Sequence, residues 1–255
     1  MNGLRPAEQL LQSLGVTDPR DIDLEAIAFD QGAMVKYRPL NGCEARIVGY
    51  GDRAVITVDN RRLKSRVRFS TAHELGHWHS HRGRSVMCRP EDIGNPSRSP
   101  IDPERVADSY AADLLLPRYL FVPRADTLGR TTFEALDRLT EEFSTSITAT
   151  AIRLVEYGPE PAMLVCHGPL GRKWFNRPRN IPERWFPRED LDADSYGFDV
   201  LHGDLRRSRR ALIGADAWFE RRGADQFELY EQTFKVSDDE ILTILVFKDD
   251  EMLED

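Results

Sequence analysis

Residues 69–79 read FSTAHELGHWH and contain the pattern His-Glu-x-x-His at residues 73–77. The stretch reads as a helix, and four residues make about one helical turn, so His73 and His77 project from the same face. Two imidazoles placed in this way can bind one cation, and neutral imidazole is a good ligand for zinc. Glu74 is offset around the helix and can face a metal-bound water as a general base. The spacing predicts a zinc-binding helix with a catalytic glutamate, and the alternative is a chance match.

A third ligand is predicted in residues 102–116, which also have the pattern of a helix. Asp102 suits the N-cap, and Pro117 disfavours helix at the residue before it. Glu104 and Asp108 fall one turn apart on one stripe of this helix. Because catalytic zinc sites commonly use three protein ligands and one water, Glu104 is the natural third ligand. The alternative for Glu104 is an exposed glutamate that suits the helix dipole.

Two further features of this second helix support the arrangement. Small side chains at Ala107 and Ala111 would let it approach the helix of His73 closely. Asp108 could then accept the free ring N–H of a ligand histidine. A carboxylate in this position fixes the tautomer of the histidine and raises its basicity.

These two segments resemble the ImmA/IrrE metallo-endopeptidases of bacteria and their mobile elements. The matching stretches are RFSTAHELGH at residues 68–77 and ERVADSYAADLLLP at residues 104–117. The family typically shows R-F-x-x-A-H-E-x-G-H and then E-x-E-A-N-x-F-A-A-x-L-L-M-P. The resemblance covers residues 1–157 well and the remainder loosely. Val106 replaces a common acidic residue, which suggests that this position is not needed for chemistry, and Asp108 stands where many members have Asn.

The resemblance implies a zinc-dependent endopeptidase with Zn²⁺ on His73, His77 and Glu104. Asp108 favours a thermolysin-like arrangement, in which an aspartate one turn after the glutamate ligand holds a histidine. Characterised members of the family act on a helix-turn-helix repressor and thereby switch genes on, so the implied substrate is such a protein. In the predicted reaction, zinc lowers the pKa of its water towards about 7, and Glu74 carries the proton to the leaving amine.

Two more side chains have an open role. His81 follows His77 by four residues and is a candidate to stabilise the oxyanion of the tetrahedral intermediate. The alternative is a solvent-facing histidine that is favoured near a helix C-terminus. Cys88 lies between the two ligand helices, and a thiolate there could occupy the open zinc position and keep the enzyme latent. The alternative is a small buried hydrophobe, which is the more common state of a free cysteine.

Composition limits the other classes of function. The chain has 255 residues, three widely spaced cysteines and a formal net charge of −8. The length favours two domains, and the cysteines fit a reducing compartment without a disulfide framework. The negative charge argues against general nucleic-acid binding. We find no leader segment and no apolar run long enough for a bilayer, so we expect a cytoplasmic protein without membrane contact.

The pattern along the chain predicts an α+β fold in three parts. Residues 1–122 are expected to form a zincin-like metallopeptidase domain, with a small antiparallel sheet before the His-Glu-x-x-His helix. Residues 123–157 are expected to form a helix-turn-helix-like segment. Residues 158–255 are expected to form a β-rich C-terminal domain, which would serve as a sensor or partner-binding module.

Two other functional classes stay open at this point. The chain could be a non-catalytic regulatory or antitoxin-type protein that docks a repressor, although such a scaffold has no need of Glu74. It could also be a DNA-binding regulator through residues 131–157. Against this, the second helix of that segment offers only Arg153 as a basic residue, and DNA binding draws mainly on Lys and Arg contacts to phosphates.

Overall fold

The computed structural model describes residues 4–80, 86–88 and 102–254, and these form an α+β fold with two separate sheets. The predicted fold class is therefore confirmed. The chain divides into two compact units. The first comprises Met1–Phe121 and Thr140–Ser146, and the second comprises Val122–Leu139 and Ile147–Asp255. The predicted division into three parts, with boundaries after residues 122 and 157, stays a prediction.

The first unit opens with two short helices and contains a four-stranded sheet. Asp23 caps the second helix, because its carboxylate accepts hydrogen bonds from the backbone N–H groups of Glu25 and Ala26. The helices are α1 (Pro6–Ser13) and α2 (Leu24–Asp30), with a 3-10 turn at Pro19–Asp21 between them. The strands are β1 (Ala33–Tyr37), β2 (Ala45–Tyr50), β3 (Arg53–Val58) and β4 (Val86–Cys88).

The sheet of the first unit is mixed, so the predicted small antiparallel sheet is corrected at one pair of strands, β1 and β3. Its strand order is β1–β3–β2–β4. Strand β2 is antiparallel to both β3 and β4, whereas β1 runs parallel to β3. The physical reason lies in β3, whose Ala54, Ile56 and Val58 are buried. This apolar strand takes a central position, where both of its edges are paired, and thereby separates β1 from β2.

Five helices follow or interrupt this sheet. They are α3 (Lys64–Ser80), α4 (Pro103–Leu115), α5 (Arg118–Leu128), α6 (Phe133–Phe143) and α7 (Ile147–Tyr157). Helix α3 contacts β2 and β3 and also contacts α4. Its residues 70–78 are all buried, and they include Leu75 and Trp78 as well as the two histidines of the motif. The helix that carries the motif is therefore enclosed within the first unit.

The second unit contains a five-stranded antiparallel sheet in the order β6–β5–β9–β8–β7. Helix α7 packs on β5, and an aromatic core that includes Trp185, Trp218 and Phe247 lies in the same unit. The strands are β5 (Ala162–Gly168), β6 (Gly171–Asn176), β7 (Ala211–Gly214), β8 (Glu228–Ser237) and β9 (Glu240–Phe247), and a short helix, α8, spans Tyr196–His202. Within the described ranges, no helix combines the length and the apolar character needed to cross a membrane.

Candidate metal centre

The candidate centre lies where α3 passes the first turn of α4. The Nε2 atoms of His73 and His77 are 3.0 Å apart. One carboxylate oxygen of Glu104 is 3.2 Å from Nε2 of His73, and the other is 3.3 Å from Nε2 of His77. The potential ligand atoms of the three residues all lie within 4.8 Å of one another. The structure thus brings the three predicted ligands to one point.

These separations and donor types fit a zinc ion. In a tetrahedral site with bonds of roughly 2.0–2.1 Å, neighbouring ligand atoms are about 3.3 Å apart. The observed 3.0, 3.2 and 3.3 Å lie close to that spacing. Two imidazoles and one carboxylate are a donor set that zinc takes in catalytic sites, and it leaves a fourth position for water. The cluster is therefore compatible with a metal ion.

Asp108 fixes the orientation of the first histidine. Its Oδ1 lies 2.9 Å from Nδ1 of His73. We assign the ring proton to Nδ1 from this geometry, since Nδ1–H can then donate to the carboxylate. With a metal ion bound, the other ring nitrogen, Nε2, would offer its lone pair on the side of His77 and Glu104. This is the placement expected from the one-turn spacing of Glu104 and Asp108, and its effect on metal binding stays a prediction.

The electrostatics of the cluster favour a cation. Burial alone would lower the pKa of His73, but hydrogen bonds to Asp108 and Glu104 outweigh burial and raise this pKa to about 9. Burial alone would raise the pKa of Glu104, but hydrogen bonds to His73 and His77 outweigh it and hold this pKa well below its usual range. Without a metal, a proton is therefore retained among anionic groups. A metal ion can replace that proton.

Glu74 lies beside the cluster and is fully buried. Its negative charge is one of the influences that raise the pKa of His73, so the carboxylate acts electrostatically on the ring. A buried carboxylate next to the ligands, and outside the ligand set itself, is what a general base requires. Its catalytic role stays a prediction.

Gly76 permits the close approach of α3 to α4. A Cβ atom built on Gly76 would lie 2.8 Å from the Cα of Ala107 and 2.9 Å from its carbonyl oxygen. Only glycine fits such a contact without a shift of the backbone. Sequence reasoning predicted the small Ala107 and Ala111, both of which are buried, but it missed Gly76. The available signal was a glycine inside a helix, where glycine costs about 1 kcal/mol relative to alanine.

Two further residues were considered for the site, His81 and Cys88, and the structure describes the side chain of neither. His81 lies outside the described residues. For Cys88, the structure describes the main chain of β4, which pairs with β2 at Ala45, and the latency hypothesis stays a prediction. Sequence reasoning also left Glu44 unmentioned. Its buried carboxylate accepts a 2.6 Å hydrogen bond from Arg66 on α3, so it anchors the start of the motif helix.

The fold and the cluster together define a class, an α+β protein in which a His-Glu-x-x-His helix and a glutamate from a second helix form a candidate metal site. Residues 28–155 match the family model Peptidase_M78, described as the IrrE N-terminal-like domain. The matched segment is half of the chain and contains α3, α4 and every clustered side chain. The chain therefore belongs to this family, which confirms the resemblance to ImmA/IrrE proteins.

Over most of its length, this chain is similar to a solved structure, that of a Mycobacterium tuberculosis transcriptional regulator. The TM-score is 0.63 at 14% sequence identity, and the alignment covers 94% of this chain and 74% of that chain. At this level of identity the likeness concerns the fold alone. A comparison with curated proteins gives no significant match.

Proposed function

We propose that this protein is a zinc-dependent endopeptidase that hydrolyses a peptide bond in a regulatory protein, a helix-turn-helix repressor, and so relieves repression. One observation carries the proposal. The ligand atoms of His73, His77 and Glu104 meet within 4.8 Å in a Peptidase_M78 domain, with Glu74 buried beside them. The choice of a repressor as substrate rests on the resemblance to ImmA/IrrE proteins.

Each residue of the centre has a distinct role in this proposal. His73, His77 and Glu104 would hold the zinc ion. When bound, zinc supplies Lewis acidity, which activates water and polarises a carbonyl. Glu74 accepts a proton from the attacking water and delivers it to the leaving amine. Asp108 accepts the Nδ1–H of His73 and thereby keeps the Nε2 of that ring directed at the metal position.

The burial of these groups supports catalysis as well as binding. His73, His77 and Glu74 are all enclosed, and electrostatic interactions are stronger in such a poorly solvated environment than in water. A ligand set with one carboxylate and two neutral imidazoles neutralises only part of the charge of a divalent cation. A divalent ion with these three ligands would therefore keep a net positive charge that can act on a substrate carbonyl, with the carboxylates of Glu74 and Asp108 beside it.

DNA recognition through residues 131–157 receives no support from the structure. Arg153, the basic residue of α7, is 4% exposed and lies over the ring of Tyr157 at 5.4 Å. Its guanidinium is therefore enclosed at the position where a recognition helix would need a phosphate contact. For this reason we do not extend the proposal to DNA binding by this segment.

The proposal is tested by cleavage of candidate helix-turn-helix repressors. Zinc-loaded wild type should cut its substrate at one defined bond, detected by mass spectrometry of the products. Glu74→Gln should keep its zinc and its fold but cut nothing, whereas the exposed control Glu141→Gln should cut as wild type does. If Glu74→Gln relieved repression in cells to the wild-type extent, a docking function without catalysis would replace the proposed one.

A further inference from the structure

The face of the first sheet opposite to α2 and α3 carries exposed apolar side chains. Met34 of β1 and Val48 of β2 both pair with Val55 of β3, so the three side chains form one row across the sheet. Met34 and Val48 are 54% and 56% exposed, and Tyr50 at the end of β2 is 91% exposed. Single exposed hydrophobic residues are ordinary, but a row of them in register forms a contiguous patch.

Cations surround this apolar row. Lys36 and Arg46 both pair with Thr57 and make up the next row of the same face. Arg53 pairs with Tyr50 at the end of the β2–β3 hairpin. None of the three cations forms a salt bridge with another residue that the structure describes. In β1, β2 and β3, no acidic residue stands at a position on this face, although the formal net charge of the chain is −8.

We define the cationic sheet face by its apolar row and the three surrounding cations, together with the exposed tyrosine. Its members are Met34, Lys36, Arg46, Val48, Tyr50, Arg53 and Val55. A face that is apolar at its centre and charged at its edge has the anatomy of a protein-binding surface. The positive sign at its edge then selects the partner by charge complementarity.

We propose that the cationic sheet face docks a partner protein through a segment in which carboxylates flank aliphatic side chains. Two other occupants fit less well. A symmetric contact with a second copy would bring together two faces that carry the same positive charge. A single-stranded nucleic acid needs both cations and aromatic side chains on which bases stack. This face supplies the cations, but its central row is aliphatic and it offers one aromatic side chain, Tyr50. The docking surface is separate from the metal chemistry and acts whether or not the centre cleaves its substrate.

Binding is measured in the Glu74→Gln background, so that cleavage plays no part. The probe is a labelled synthetic peptide in which glutamate alternates with valine, and its counterpart has lysine in place of glutamate. The acidic peptide should bind and shift the methyl resonances of Met34, Val48 and Val55. The interaction should weaken as salt is raised, because the contacts at the edge are exposed. The lysine peptide should not bind.

The decisive variant reverses the three charges as Lys36→Glu, Arg46→Glu and Arg53→Glu. It should bind the acidic peptide at least about tenfold more weakly, as expected for the loss of several charge contacts. A milder variant with glutamine at the same positions should show an intermediate loss, which guards against misfolding of the reversed protein. The matched control changes the overall charge equally in the second unit, as Arg130→Glu, Arg179→Glu and Arg222→Glu, and should bind as the parent does.

Three results would overturn the proposal. One is absence of binding of the acidic peptide, or equal binding by the charge-reversed variant and the parent. Another is tighter binding of a single-stranded oligonucleotide that is lost in the charge-reversed variant, which would make the face a nucleic-acid surface. The third is self-association in sedimentation experiments that the reversal abolishes, which would make the face an interface between copies.

Discussion

Replacement of Gly76 by alanine tests whether the contact between α3 and α4 positions the third ligand. The added methyl would lie 2.8 Å from the Cα of Ala107, whereas carbon atoms in contact are roughly 3.5–4.0 Å apart. The helices must therefore separate locally by at least about 0.7 Å. Glu104 lies three residues before Ala107 on α4 and would move with it. Because metal sites tolerate deviations of about 0.2 Å, the zinc affinity of Gly76→Ala should fall by roughly 10–100-fold.

The same substitution should leave the protein folded. Overpacking costs about 1–3 kcal/mol, and the better helix propensity of alanine returns about 1 kcal/mol, so the net loss in unfolding free energy is about 0–2 kcal/mol. Zinc affinity is measured by competition with a chromophoric chelator, and stability by urea unfolding of the metal-free protein. Ser65→Ala, on the first turn of α3, is the control for helix propensity. Zinc affinity of Gly76→Ala within about twofold of wild type would refute the positioning argument.

Two further predictions concern Asp108 and the buried His167. Asp108→Ala should release zinc to a chelator roughly 10–100-fold more readily than wild type, with Asp108→Asn milder and the exposed Val106→Glu unchanged; equal release by Asp108→Ala would contradict the hydrogen bond to His73. Burial lowers the pKa of His167 from 6.5 to about 4. Between these two pH values the unfolded chain therefore binds a proton at His167 that the folded protein does not bind. Stability is then full above pH 6.5 and falls as the pH drops towards 4, by at most about 3 kcal/mol. Unfolding at pH 6.5 and 4.5 should show this loss in wild type and in the control His202→Leu but not in His167→Leu, and an unchanged pH dependence in His167→Leu would exclude His167 as its source.

The two histidines of the candidate metal site could be predicted because the helical period is a local property. Four residues place His73 and His77 on one face of α3 whatever the rest of the chain does. The distance from Glu104 to these rings is not local, since it depends on how closely two helices cross. That closeness follows from the backbone contact between Gly76 and Ala107, which no periodicity reveals. The sequence therefore predicted the three candidate ligands but not the role of Gly76, which lets the two helices bring them close together.

The strand order of the first sheet shows a second limit of sequence reasoning. Alternation of apolar and polar residues is the same in a strand whether its neighbour is parallel or antiparallel. Apolar residues and turn signals predict strands at residues 33–38, 43–50 and 54–58, and the observed bounds of β1, β2 and β3 each lie within two residues of these. The parallel pairing of β1 with β3 depends on contacts between distant segments, and the pattern within each strand carries no information about it.

In the second unit, the hairpins could be predicted but the buried polar contacts could not. Short turns at residues 168–171 and 237–239 predict one hairpin over residues 162–175 and another over residues 227–248, and these correspond to the pairs β5–β6 and β8–β9. Glu231 of β8 is fully buried and accepts hydrogen bonds from the backbone N–H of Gly197 and from Trp218. These donors come from segments 34 and 13 residues away. From the sequence alone, a charged residue in a strand is expected to face solvent, because the distant donors that would satisfy it are not known.

X-ray absorption at the zinc edge, on protein loaded with one equivalent of zinc, tests the central claim most directly. The proposed ligands His73, His77 and Glu104 predict two imidazole nitrogens and oxygen donors at roughly 2.0–2.2 Å, and a sulfur near about 2.3 Å is expected only if Cys88 occupies the open position. His73→Ala should lose one imidazole contribution or fail to retain the metal. Failure of the wild type to bind zinc, or a spectrum without imidazole scattering, would contradict the assignment of this centre.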